Sequence, residues 1–171
     1  TIKQFIIYAC TAKTKFRIHS PFVFNFTQNI LKKNNDVQSN LKRQILKYHT
    51  KYNTLFNTNN NAGAGSVVLN KTKSIEVEKF SKNVGLPHKY GVVLQNIVHH
   101  YNCEKTLELG TSLGISTSYL VSNKKNHVTT IEANKDFYNA TKKAYEAVNI
   151  KNITFVNAFF EDVLNDIGKQ N

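Results

Sequence analysis

The stretch TLELGTSLGIST, residues 106–117, runs an apolar strand into a glycine-containing turn and then into a helix start. A strand, a glycine turn, a helix and an acidic residue closing the next strand are the parts of a nucleotide-type cofactor site. The acidic residue is Glu132, which ends HVTTIE, eighteen residues beyond Gly114. Spacing then selects among cofactors. A dinucleotide fingerprint needs G-x-G-x-x-G so that the backbone can approach a pyrophosphate. Here Gly110 is followed after three residues by Gly114, and the middle position is Ser112. The stretch does not match the phosphate-loop pattern G-x-x-x-x-G-K-[ST] either.

Glu108, two residues before Gly110, decides more. A carboxylate beside the turn repels a diphosphate, but it suits a ligand carrying an ammonium and a sulfonium. The ligand's own carboxylate is then left for the helix N-terminus and the Ser116 hydroxyl. S-adenosylmethionine has those groups. Glu132, at a strand's end, is placed to accept hydrogen bonds from both ribose hydroxyls.

Outward from this turn, the rhythm from Lys105 onward alternates strand and helix. KTLELG, HVTTIEA and ITFVNA read as strands. ISTSYLVSNKK, KDFYNATKKAYEAVNI and FEDVLNDIG read as helices. That alternation predicts βαβ units and a parallel sheet. Upstream, Ser20 and Pro21 are an N-cap and first-turn pair that predict a helix from Pro21 to about Lys33. DVQSNLKRQILKYHTKYN predicts a second, with Leu41, Ile45, Leu46 and Tyr48 at helical spacing. SIEVEKFSKNVGL and KYGVVLQNIVHHYN predict two short helices separated by Gly85 and Pro87. The expected organisation is a helical region, 1–88, with an Asn/Gly loop at 57–66, followed by the N-terminal half of a cofactor-binding domain, 89–171.

LELGTSLGISTSYL, TIEAN and NITFVNAFFEDVL resemble the first three strand ends of class I S-adenosylmethionine-dependent methyltransferases, especially the O-methyltransferase-like branch with E-L-G-x-x-x-G-x-S. FRIHSPFVFNF and GAGS are similar to the N-terminal region of a bacterial subgroup of these enzymes. The resemblance implies an α/β, Rossmann-like methyltransferase fold preceded by helices, and S-adenosylmethionine as cofactor. It implies that Glu108, Gly110, Thr111, Ser112 and Gly114 shape the methionine pocket, with Ser116 on the carboxylate, Glu132 on the ribose and Ala133 packed on the adenine. Ala158 and Phe159 match the adenine-contacting turn, where Phe159 departs from the small polar residue usual there. The subgroup tends to carry an aspartate near Asn61, a charge that asparagine cannot supply. FRIHSPF reads first as a capped helix whose aromatic residues fill the core, and the functional alternative is a lid over the cofactor with Arg17 or His19 facing a substrate.

The implied activity is methyl transfer, by family analogy to an oxygen of a small molecule. The protein supplies mainly alignment, and no residue is assigned as base or catalytic group. Such enzymes have about seven strands, whereas this sequence supplies three. The expectation is therefore a fragment of a longer enzyme or a degenerate form, with an exposed edge on the first strand if nothing pairs with it.

Composition narrows the partners. The net charge of +12 is concentrated in residues 1–60, which hold ten Lys/Arg and one acid, Asp36. A general lysine and asparagine bias accounts for much of that charge, so nucleic acid is a less favoured partner than a small molecule, and the alternative readings are RNA methylation using the basic N-terminal region or a non-catalytic truncated binding module. Cys10 and Cys103 are far apart with no C-x-x-C spacing, and the adjacent His99 and His100 point in different directions on a helix, so no metal site is expected. No run of about 18 apolar residues exists, which argues against a membrane span. A cytoplasmic setting is expected, and the oligomeric state is not legible.

Overall fold

In the computed structural model, the residues described are 2–11, 20–31, 39–52, 56–57, 74–75, 77, 81 and 85–169. Arg17, His19 and Asn61, and with them the lid and the GAGS loop, lie outside these. The chain divides into two compact units, Thr1–Asn34 and Asn35–Asn171.

The first unit holds α1, Ile2–Thr11, and α2, Pro21–Phe26. Ser20 caps α2 as its sequence position predicts, its hydroxyl accepting from the Val23 N–H at 3.4 Å, with Pro21 in the first turn. In the helix expected from Pro21 to about Lys33, α-helical geometry ends at Phe26. The helix widens into a π-helical segment, Thr27–Leu31. There the Thr27 hydroxyl donates to the Phe24 carbonyl at 2.8 Å, competing with the backbone for that acceptor.

The second unit carries α3, Ser39–Lys51, and a two-residue ladder of β1, Phe56–Asn57, with β2, Ser74–Ile75. This antiparallel pair replaces the helix expected to begin at Ser74 and the loop expected at Asn57. Next come α4, His88–His100; β3, Lys105–Leu109; α5, Ile115–Leu120; β4, His127–Ile131; α6, Lys135–Ala147; β5, Ile153–Val156; and α7, Phe160–Lys169.

The main sheet has the order β3-β4-β5, all parallel. Glu108 pairs in register with Thr130, and Thr130 with Phe155, so the strands end together on one edge. Among the described residues β3 pairs only with β4. This is the expected α/β, Rossmann-like partial sheet. Helix α3 belongs to the same compact unit as the sheet. Its Leu41 and Ile45 are buried with Val98, Leu120, Val121, Val128, Ala144 and Tyr145. A second core cluster gathers Val77, Leu113, Ile115, Tyr119 and Phe137 directly behind the glycine turn.

Two helices stop earlier than the sequence predicts, and amide side chains explain one of them. At the end of α5, Asn126 Nδ2 donates to the Leu120 carbonyl at 3.0 Å, and Asn152 Nδ2 donates to the carbonyls of Val121, Asn123 and Asn126. These carbonyls are satisfied without another helical turn. At the end of α6, Asn149 takes φ +58°, and the N–H groups of Asn149 and Ile150 return to the carbonyls of Glu146 and Tyr145. That is a helix stop built on a left-handed residue.

Candidate functional site

The carboxyl ends of β3 and β4 and the start of α5 meet at the turn Gly110–Gly114. Gly110 has φ +95° and Gly114 φ +72°. Gly114 has no space for a side chain, because a Cβ there would lie 2.7 Å from both Thr141 Cγ2 and Tyr145 Cε2. At Gly110 the nearest atom to such a Cβ is Phe160 Cζ at 3.8 Å, so the absent side chain leaves room. In front of the turn lies a cleft of about 260 Å³ walled by Gly85, Leu86, Gly110, Thr111, Ser112, Leu113, Ile115 and Ser116. Its size falls just under the roughly 300–1,000 Å³ of small-molecule pockets, so it can hold one end of an elongated ligand.

Of the sequence-predicted residues, Gly110, Thr111, Ser112 and Ser116 are on the cleft wall. Glu108 is not. It is 9 % exposed, and its carboxylate is turned under the first turn of α5. Ser116 Oγ donates to Glu108 Oε1 at 2.5 Å, and Thr117 Oγ1 and Thr130 Oγ1 donate to Oε2 at 2.6 and 2.8 Å. Thr130 has one hydroxyl proton and spends it on Glu108. In the 2.6 Å contact between Thr111 and Thr130, Thr111 is therefore the donor. Burial raises the Glu108 pKa, the three hydroxyls oppose the rise, and the negative charge of Glu132 adds to it. The Ser116 proton is likewise committed to Glu108. The carboxylate-holding role that the resemblance gives Ser116 requires its hydroxyl to turn, or its backbone N–H to serve instead.

Glu132 follows β4, half-buried, and reaches back to the turn. Its Oε2 accepts from the Ser112 N–H at 2.9 Å and its Oε1 from the Asn134 N–H at 2.9 Å. A carboxylate oxygen has two acceptor positions, so each retains one. Ala133 sits beside it, and Asn157 Nδ2 donates to the Glu132 and Ala133 carbonyls at 2.7 and 3.2 Å, tying the ends of β4 and β5 together. Ala158 and Phe159 follow β5 on the same edge, with Phe159 48 % exposed. Asn134 caps α6 through its Oδ1, which accepts from Asp136 N and Phe137 N at 2.9 and 3.2 Å. This fixes the amide orientation and leaves Nδ2 buried with no acceptor among the described residues.

Sequence reasoning did not anticipate Gly85 and Leu86 on the cleft wall, nor the supports Thr117, Thr130, Asn134, Thr141, Tyr145 and Asn157. A visible signal existed for two of them. Hydroxyl residues in STS, 116–118, and TTIE, 129–132, recur where apolar core residues are otherwise expected. Among the described residues, no group of three or more His, Cys, Asp or Glu is arranged to hold a metal ion.

No protein-family model matches this chain, and no curated protein matches it. Among solved structures it is similar to the O-methyltransferase from Bacillus cereus in complex with SAH, at 18 % identity and TM-score 0.49, covering 88 % of this chain and 56 % of that one. It is also similar to the SAH-bound methyltransferase PaMTH1 from Podospora anserina, at 11 % identity and TM-score 0.49, covering 86 % of this chain and 53 % of that one. The chain thus spans about half the length of the solved structures it matches.

Proposed function

We propose that this chain is the cofactor-binding half of an S-adenosylmethionine-dependent methyltransferase that modifies an oxygen of a small molecule in the cytoplasm. The observation that carries the reading is the Glu132 carboxylate. It bridges the Ser112 and Asn134 N–H groups and keeps one acceptor position on each oxygen, beside a cleft with room at Gly110. Two vicinal hydroxyls are the donors that such a pair of acceptors fits. The buried Asn134 amide N–H, without an acceptor among the described residues, is a further unspent polar group next to Glu132.

Bound here, S-adenosylmethionine would supply a methyl group activated by the adjoining sulfonium. The chain's own residues bind and orient. Glu132 would take the ribose, Ala133, Ala158 and Phe159 would flank the adenine, and Gly110, Thr111, Ser112 and Gly114 would shape the methionine end. Glu108 acts from beneath the turn. A positive group in the cleft favours its ionised form and so opposes the burial that raises its pKa. Ser116 and Thr117 hold that carboxylate still. Among the described residues, no helix is long and apolar enough to cross a membrane.

Calorimetry with S-adenosylhomocysteine tests the proposal. Saturable binding is expected, weakened by about tenfold or more in Glu132→Ala, the scale of a lost charged hydrogen bond. A folded chain that shows no binding defeats the reading, and an unchanged affinity in Glu132→Ala rejects the ribose assignment.

A further inference from the structure

Ser112 is the strained residue of the turn. Its φ is +49°, a left-handed conformation that a residue with a side chain keeps only where its surroundings hold it. Its two peptide groups are gripped from different elements. Glu132 Oε2 accepts from the Ser112 N–H at 2.9 Å, and Thr141 Oγ1 donates to the Ser112 carbonyl at 2.7 Å. Four residues along the same face of α6, Tyr145 Oη donates to the Gly114 carbonyl at 2.7 Å. Between them, the Leu113 backbone meets the buried His49 imidazole of α3. The turn's successive carbonyls are thus taken up by the helices behind it.

Thr141 and Tyr145 are fully buried, and neither is on the cleft wall. Burial and the nearby Glu108 charge hold the Tyr145 hydroxyl well above its ordinary pKa, so it stays a donor. The peptide between Ser112 and Leu113 is trans, and its C=O and N–H point in opposite directions. Fixing the Ser112 carbonyl on α6 therefore turns the Leu113 N–H away from α6, and Leu113 is a wall residue of the cleft.

We propose that Thr141 and Tyr145 are positioning residues of the glycine turn. They hold Ser112 in its left-handed conformation and set which peptide groups face the cleft, without touching the ligand. The link to ligand affinity rests on the cofactor reading above, whereas the effect on the turn itself does not.

The experiment pairs Thr141→Val, which removes the hydroxyl and keeps the shape, with Thr141→Ser, which keeps the hydroxyl, and adds Tyr145→Phe. Amide hydrogen exchange at Ser112 is measured without ligand, and S-adenosylhomocysteine affinity by calorimetry. Thr141→Val and Tyr145→Phe are expected to speed Ser112 exchange by about tenfold and to weaken binding by about tenfold, the scale of one hydrogen bond, with Thr141→Ser close to wild type. In a Ser112→Gly background Thr141→Val should cost clearly less, because glycine adopts positive φ unaided. Wild-type Ser112 exchange in Thr141→Val, or an equal loss in Thr141→Ser, overturns the proposal. A wild-type chain that fails to bind S-adenosylhomocysteine defeats the cofactor reading, and the exchange measurement still decides the positioning role.

Discussion

Lowering the pH from 7 towards 4 asks the chain to place a proton on His49, and the structure sets the cost. The ring is fully buried at the end of α3. Desolvation lowers its pKa from 6.5 to about 4, with the Leu113 backbone partly opposing the shift by favouring the charged ring. In the unfolded chain the imidazole takes up its proton near 6.5, and in the folded chain only near 4. Between those values the unfolded state binds more protons, so stability falls as pH falls. Above 6.5 neither state is protonated and the contribution is flat. At ~1.4 kcal/mol per pH unit, the interval from 6.5 to about 4 removes about 3 kcal/mol. That is a large share of the roughly 5–15 kcal/mol that a domain possesses. The assay is urea unfolding at several pH values between 7 and 4.5 for wild type and His49→Phe, which keeps a ring of similar bulk but cannot titrate. Glu108 contributes with the opposite sign. Its folded pKa is raised, so its share of stability falls as pH rises through that folded value, and this share is common to both proteins and cancels in the difference. The wild type should lose ground to the variant steadily as the solution is acidified. Parallel pH dependences for the two proteins would refute the reasoning.

Two further perturbations address the turn and its buried carboxylate. Gly114→Ala combines a left-handed backbone with a Cβ 2.7 Å from Thr141 and Tyr145 side-chain atoms, so urea unfolding should show a loss of about 3 kcal/mol from strain and overpacking together; a change below about 0.5 kcal/mol would contradict the packing. Glu108→Ala leaves the buried Thr117 and Thr130 hydroxyls without their acceptor, for a loss of about 2–4 kcal/mol, whereas Glu108→Gln keeps an acceptor and sheds a buried charge and should stay within about 1 kcal/mol of wild type at pH 8. Equal losses in the two variants would show that the hydroxyl cluster does not depend on an acceptor at 108.

Much of the three-stranded parallel sheet was legible because its signals are local. The change of apolar rhythm at Lys105 reports strands and helices directly, and the observed strands fall within the predicted segments. The position of Glu132 after a strand, eighteen residues past Gly114, brings it to the turn because parallel neighbours in register end on one edge. Two departures from the expected elements came from contacts with residues later or earlier in the chain. Helix α5 stops at Leu120 because Asn126 and Asn152 cap its carbonyls, and Ser74 enters a strand because Phe56–Asn57 pairs with it. Periodicity carries no trace of either partner.

The sequence by itself determined the order of elements from Lys105 onward, the glycine spacing that disfavours a dinucleotide, and the two carboxylates that bracket the turn. Only the tertiary structure decided what those carboxylates do. Glu108 looked like a group aimed at a ligand's ammonium, yet hydroxyls from α5 and β4 draw it beneath the turn, because a buried charge goes where donors can satisfy it. Glu132 keeps acceptor positions free, and Thr141 and Tyr145 hold Ser112 and Gly114 from behind. Hydrogen bonds between residues twenty to thirty-one positions apart depend on how helices pack on the sheet, and that packing exists only once the chain has folded.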